Sequence, residues 1–368
     1  MPDFRYGHSS SKDWREAVQS CLAQLGRGPA NLGFVYATDL YADHLKEIVA
    51  LLKDATGVPH WTGTVGLGIC ATGREYLDEG AMAVMVGDFE PDTFRVFSGV
   101  AAAVDVDKVT LRCGDGVPNF AIVHADPHNR HVGELVAKLA GKLESGFLVG
   151  GLTSSRAQNL QVADGVVDGG LSGVSFADSV AIATRLTQGC SPLGPKHVIT
   201  SCQNNVIITL DGRQALEVFK EDIGEALARD LNRIGGHVFA GLPIAGSDTG
   251  DYLVRNLVGI DPANGLIAIG EMLQPGASVM FCRRDAKTAN EDMTRMLESI
   301  RKGMYSRPQG GIYYSCIGRG ASLFGPDSEE LKMIRDALGE FPLVGFFCNG
   351  EISHNRLYGY TGVLTLFV

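Results

Sequence analysis

The chain has 368 residues, a length that sets an expectation of about two domains rather than one core. Its hydrophobic share of 45% and charged share of 20% are those of a soluble globular protein, and no apolar run approaches the roughly 18 to 20 residues that a bilayer-spanning helix needs. A formal net charge of -10, with no lysine or arginine cluster to offset it, opposes attachment to nucleic-acid phosphates, so neither a membrane nor a nucleic acid is an expected partner.

The first segment, residues 1–28, carries no basic stretch followed by an apolar one, so it is expected to be a short tail leading into an amphipathic helix rather than a signal peptide. From there the chain repeats one pattern four times. An apolar run of strand character comes first (31–37, then 119–125, 205–210 and 310–316), a segment with helical apolar spacing follows, and a glycine frame comes next. The frames hold Gly68 with Gly73 and Arg74, Gly150 with Ser155 and Arg156, Gly241 with Gly246 and Ser247, and Gly345 with Gly350 and Glu351. A further strand closes each unit, at 81–87, 170–176, 265–270 and 361–368. Gly57 and Gly146 stand where helices are expected to stop, and Asp327 with Glu330 has the spacing of a capping box.

A unit of strand, helix, strand, glycine turn and strand cannot bury both its sheet face and its helix stripe without a neighbour. The predicted fold class is therefore α/β (α+β), with two tandem, pseudo-duplicated domains around mixed sheets. Their expected spans are 29–189 and 190–368, divided in the turn-rich stretch from Thr187 to His197. The eight cysteines are scattered and form no C-x-x-C pair, so neither a zinc site nor a disulfide framework is expected, and a reducing cytoplasm suits them.

Three motifs carry a resemblance to a known family: Q-G-C-x-P-x-G from Gln188 to Gly194, C-x-x-R-G from Cys316 to Gly320, and G-x4-G-E from Gly345 to Glu351. They resemble the junction and the C-terminal half of FIST sensory domains, and the likeness extends over about residues 30 to 368. The resemblance implies a cytoplasmic module that binds a small ligand, an amino acid or similar polar metabolite. It also implies signalling through a separate partner, a histidine kinase or other signalling protein, because the chain leaves no room for an output domain of its own. Some members of the family bind haem and sense nitric oxide, which makes haem the alternative cofactor. One departure stands out: Gly73 is followed by Arg74 where the family has glutamate.

Arg319 follows the strand at 310–316 and so falls at the carboxyl end of a sheet, where α/β proteins tend to bind ligands. Its guanidinium can grip a carboxylate or phosphate through two parallel hydrogen bonds. Glu351, presented by Gly350, is expected at the same end, and a cation beside an anion suits a zwitterion. The expected ligand site comprises Cys316, Arg319, Gly320, Gly345, Cys348, Gly350 and Glu351, with Arg156 from the first half. A purely structural alternative pairs Arg319 with a carboxylate of its own chain, such as Glu351. Cys316 and Cys348 are conceivable nucleophiles of a hydrolase or transferase, with His354 nearby, but no Cys/His signature surrounds them and no catalytic residue is assigned. His354, His237 or Cys348 could serve as an axial haem ligand. His128 and His131 are three apart, yet Pro127 makes their segment a loop and nothing completes a metal set.

Overall fold

The computed structural model describes residues 3–114, 118–231, 234–244 and 252–368. Two compact units emerge, one formed by Met1–Thr187 with Met293–Val368 and the other by Gln188–Asp292. The first cut falls close to the sequence boundary at 189/190, while residues 293–368 group with the first half. Among the described residues no helix is long and apolar enough to cross a membrane.

The first unit contains three copies of one plan. Copy one runs β1 (Phe4–Ser10), α1 (Trp14–Leu25), β2 (Leu32–Thr38), α2 (Leu45–Thr56), β3 (His60–Gly66), a hairpin of β4 (Gly68–Ala71) and β5 (Arg74–Leu77), then β6 (Ala81–Gly87). Copy two runs β7 (Phe94–Val100), α3 (Ala103–Lys108), β8 (Phe120–Ala125), α4 (Val132–Ala140), β9 (Phe147–Leu152), a hairpin of β10 (Gln161–Ala163) and β11 (Val166–Val167), then β12 (Leu171–Phe176). Copy three opens with β13 (Ile182–Gln188), after which the chain builds the second unit. That unit holds β14 (Cys190–Pro192), β15 (His197–Gln203), β16 (Val206–Leu210), β17 (Arg213–Gln214), α5 (Ala215–Ala228), β18 (Val238–Pro243), β19 (Tyr252–Asp261), β20 (Leu266–Ile269) and β21 (Ser278–Arg284). The chain returns through α6 (Ala286–Gly303) and completes copy three with β22 (Gly310–Cys316), α7 (Ala321–Phe324), α8 (Glu329–Leu338), β23 (Leu343–Cys348), a hairpin of β24 (Glu351–Ser353) and β25 (Arg356–Tyr358), then β26 (Thr361–Phe367).

The α/β class with mixed sheets therefore holds. The expected first strands are β2, β8, β16 and β22, and the closing strands at 81–87, 170–176 and 361–368 are β6, β12 and β26. Residues 265–270 likewise supply a strand, β20, which pairs with β16 and also with β19. Residues 4–10, expected as a tail, form β1 along β6. Gly57 ends α2 in the left-handed conformation as anticipated, whereas α4 stops at Ala140, before Gly146.

In each copy the second and third strands are parallel neighbours, β2 with β3, β8 with β9 and β22 with β23. The remaining two places in each sheet belong to another copy. The β4–β5 hairpin of copy one joins the sheet of copy three, β24–β25 of copy three joins copy two, and β10–β11 of copy two joins copy one. The exchange is cyclic, so no copy has a complete sheet of its own.

Close approach within the parallel pairs explains a recurring glycine. A Cβ at Gly63, Gly150 or Gly345 would lie 1.8, 1.9 or 1.8 Å from the carbonyl oxygen of Val35, Val123 or Tyr313. No side chain fits there. The copy-one counterpart is thus Gly63, not the Gly68 of the sequence frame, which begins β4. In the third frame Gly241 lies in β18, and Gly246 and Ser247 lie outside the described residues. The residues just after those carbonyls meet in a core shared by all three sheets: Tyr36 Oη lies 3.1 Å from His124 Nε2 and 3.4 Å from Tyr314 Oη.

In the second unit, strands β21, β15, β16, β20, β19 and β18 form a ring of antiparallel neighbours, closed by the β18–β21 pairing. The helix α5 packs on it, with Phe219 edge-on to Phe281 at 4.6 Å. His197 fastens the start of β15, its Nδ1 2.6 Å from Asp211 and its Nε2 3.0 Å from Asp222.

Candidate functional site

The chain leaves β22 through a turn closed by the Arg319 amide donating to the Cys316 carbonyl at 2.8 Å, and this turns the Arg319 side chain inward. Arg319 is completely buried and meets Glu330 of α8, not Glu351. Its Nε donates to Glu330 Oε1 at 2.7 Å. The same carboxylate accepts from Tyr313 Oη at 2.6 Å, Ser315 Oγ at 3.0 Å and the Gly320 amide at 2.9 Å. Glu330 is thereby fully satisfied. Arg319 is not: its Nη1 and Nη2 have no hydrogen-bond partner, and the ring of Phe324 covers the guanidinium 4.9 Å from Cζ. Truncating either member of such a buried pair costs about 3–5 kcal/mol, because the other charge is left uncompensated.

Glu351 begins β24 and is equally buried. Its Oε2 accepts from the Thr361 amide at 3.1 Å and Thr361 Oγ1 at 2.7 Å, and its Oε1 has no partner. Burial pushes the Glu351 carboxyl up to about 8, against the opposing bonds from Thr361 and the charge of Arg319. At neutral pH this side chain holds its proton.

The other sequence-predicted residues divide. Gly320 has φ 56, and a Cβ there would lie 2.8 Å from the Phe347 ring and 3.0 Å from Glu75 Oε2, so it belongs to the cluster. Gly350, with φ 137, makes the turn into β24. Gly345 lies mid-strand under the Tyr313 carbonyl and serves packing. Burial raises the Cys316 thiol to about 12 and that of Cys348 well above its ordinary value, the reverse of what a nucleophile needs. Arg156 stands apart from Arg319's pair. It grips Asp39 from Nε at 2.9 Å and Nη2 at 2.8 Å, and reaches Asp78 at 3.2 Å. His354 packs edge-on to Phe147 at 4.2 Å, and no metal-binding cluster exists among the described residues.

A cleft of about 570 Å³ borders this cluster. One wall is the β4–β5 hairpin with Arg74, Glu75 and Glu79, and the other is the start of α8 with Asp327, Ser328 and Lys332. The Glu75 amide donates to Ser328 Oγ at 2.9 Å across it. Burial, then the charge of Glu330, push the Glu75 carboxyl up to about 8. Sequence reasoning missed Glu75, because its hairpin reaches the site only through cyclic exchange. It missed Glu330 by reading it as a capping residue. The available signal was a glutamate in register with Ile334 and Leu338 on the buried stripe of α8.

The charged cleft of this mixed α/β protein thus lies where an N-terminal hairpin meets a C-terminal helix, a two-part arrangement. Comparison supplies the particular family. Residues 31–213 match the FIST N domain and residues 215–354 the FIST C domain. The chain belongs to the FIST family, whose domains are sensory domains. It is 31% identical over 385 residues to an uncharacterized protein of Mycobacterium tuberculosis strain H37Rv, and 27% identical over 384 residues to one of Mycobacterium bovis, with 98% of each chain covered in both cases.

Proposed function

We propose that the chain is a cytoplasmic sensory protein that binds an amino acid or similar polar metabolite in the cleft beside Arg319 and signals through a separate protein, such as a histidine kinase. The observation that carries this reading is the cleft's mixed charge: Arg74, Lys332, Glu79 and Asp327 all line it, in a volume that suits a small metabolite. An occupant bridges the FIST N hairpin and the FIST C helix, and a ligand that binds only the folded state stabilises it by mass action. Thermal unfolding against a panel of amino acids and small carboxylates tests the reading. At least one compound is expected to raise the Tm of the native protein, and Arg74→Ala with Lys332→Ala to abolish that rise. Arg74 is exposed and Lys332 is half-buried with only a solvent-reached ion pair to Glu329, so the unliganded Tm should nearly hold, each change costing within about 1 kcal/mol. A panel without any shift, or a shift that both variants retain, overturns the reading.

A further inference from the structure

The two terminal nitrogens of Arg319 pose a problem that the cleft alone does not solve. A guanidinium is a planar fork of five N–H donors, and a buried one with Nη1 and Nη2 unsatisfied carries a large penalty. What covers it is α7. That element is a single turn from Ala321 to Phe324, with Gly320 at φ 56 before it and Gly325 at φ 104 after it. Positive φ costs glycine little, and a short element between two such residues can swing as a body. The segment beyond is strained: Asp327 and Ser328 are consecutive non-glycine residues at φ 66 and 62. Ala321, the first residue of α7, lines the cleft, and Phe324, its last, packs against the guanidinium.

We propose that α7 is a lid hinged at Gly320 and Gly325, and that a carboxylate of the ligand in the cleft is received by Arg319 Nη1 and Nη2 when the lid swings away. The proposal rests on the cleft being the ligand site and adds the group recognised and the residue that recognises it. Bidentate pairing with a carboxylate supplies the two missing acceptors in the geometry the fork prefers. Glu330 keeps hold of Nε, so the arginine stays positioned while its outer edge turns to the ligand. Glu75 and Glu351, both protonated at neutral pH, do not repel the incoming anion. In the closed state Phe324 occupies the ligand's place, and the apparent affinity is reduced by the fraction of time the lid is open.

Acetate serves as the smallest carboxylate and acetamide as its neutral control. Binding is followed by thermal unfolding, and access to Arg319 by phenylglyoxal labelling read from peptide masses. Acetate but not acetamide is expected to stabilise the native protein and to slow labelling of Arg319. Phe324→Ala is expected to lower the acetate midpoint by about tenfold and to speed labelling by a similar factor. Arg319→Lys should lose the acetate response; should that variant fail to fold, Phe324→Ala and the labelling decide the matter. Equal labelling of Arg319 in the native protein and Phe324→Ala, or equal stabilisation of both by acetate, overturns the lid. If the metabolite panel still depends on Arg74 and Lys332 while Phe324→Ala changes nothing, the cleft stands and the lid falls. If neither the panel nor acetate shifts the Tm, both fall.

Discussion

Glu351 is neutral in the folded chain because burial removes the water that would stabilise its charge, and Thr361 bonds to only one of its oxygens. Unfolding returns the group to an ordinary carboxyl near 4.5. The folded state therefore binds the extra proton between about 4.5 and 8, so this contribution to stability shrinks as pH rises through that window. Glu75 is shifted the same way. Urea unfolding from pH 5 to 8 should show stability falling, each retained proton adding a slope of at most about 1.4 kcal/mol per pH unit. Glu351→Gln keeps an acceptor for Thr361 and should flatten part of that fall, and adding Glu75→Gln should flatten more. A fall unchanged in the double variant would show that these carboxyls are not held protonated. Arg319 was legible as a special residue from its place after a strand, and the structural alternative of an internal carboxylate partner was right in kind. Which carboxylate it meets was not, since Glu330 reaches it through the packing of a helix whose orientation no local pattern encodes.

At the scale of strands and turns, the apolar runs at β2, β8, β22 and β23 were readable because both faces of these strands are buried and apolar residues dominate, the few polar ones such as His124 and Ser315 being buried with them. The edge strand β7 was not, since solvent reaches half of its positions and polar residues interrupt the pattern. The glycine frame slipped by five in copy one because Gly63 and Gly68 both stand in that stretch and spacing alone does not say which lies under a carbonyl. The structure makes that distinction testable. Gly345→Ala drives a Cβ to 1.8 Å from the Tyr313 carbonyl, a clash between backbones that no rotamer relieves. It should cost more than about 4 kcal/mol, in the exceptional range for a single substitution. Gly57→Ala adds a methyl with nothing within 4 Å and is penalised only for its φ of 70, by about 1–2 kcal/mol. Urea midpoints of the two variants should differ accordingly, and equal midpoints would remove the packing explanation of the recurring glycine.

For the whole molecule the consequence of cyclic exchange is that the FIST N and FIST C segments share sheets within one unit. Hairpin strands of two to four residues carry too little pattern to be read as strands or to name a distant partner, so the exchange was illegible although β9 and β23, which receive two of the hairpins, carry plain apolar runs. Ile352 illustrates the coupling. It belongs by sequence to FIST C, yet it pairs with Gly150 of β9 and packs fully buried in a core with Val123, Leu135 and Leu148 of copy two. Ile352→Ala should cost about 2–5 kcal/mol, as large-to-small changes at closed core sites do. The location of the damage is the sharper test. If β24 is an integral strand of the copy-two sheet, amide exchange in this variant should accelerate first in β8 and β9, some two hundred residues away in the chain, while β22 and β23 keep their protection. Exchange that rises first in β22 and β23 would mean that each copy is stabilised by its own strands and that the hairpins merely lie against their hosts.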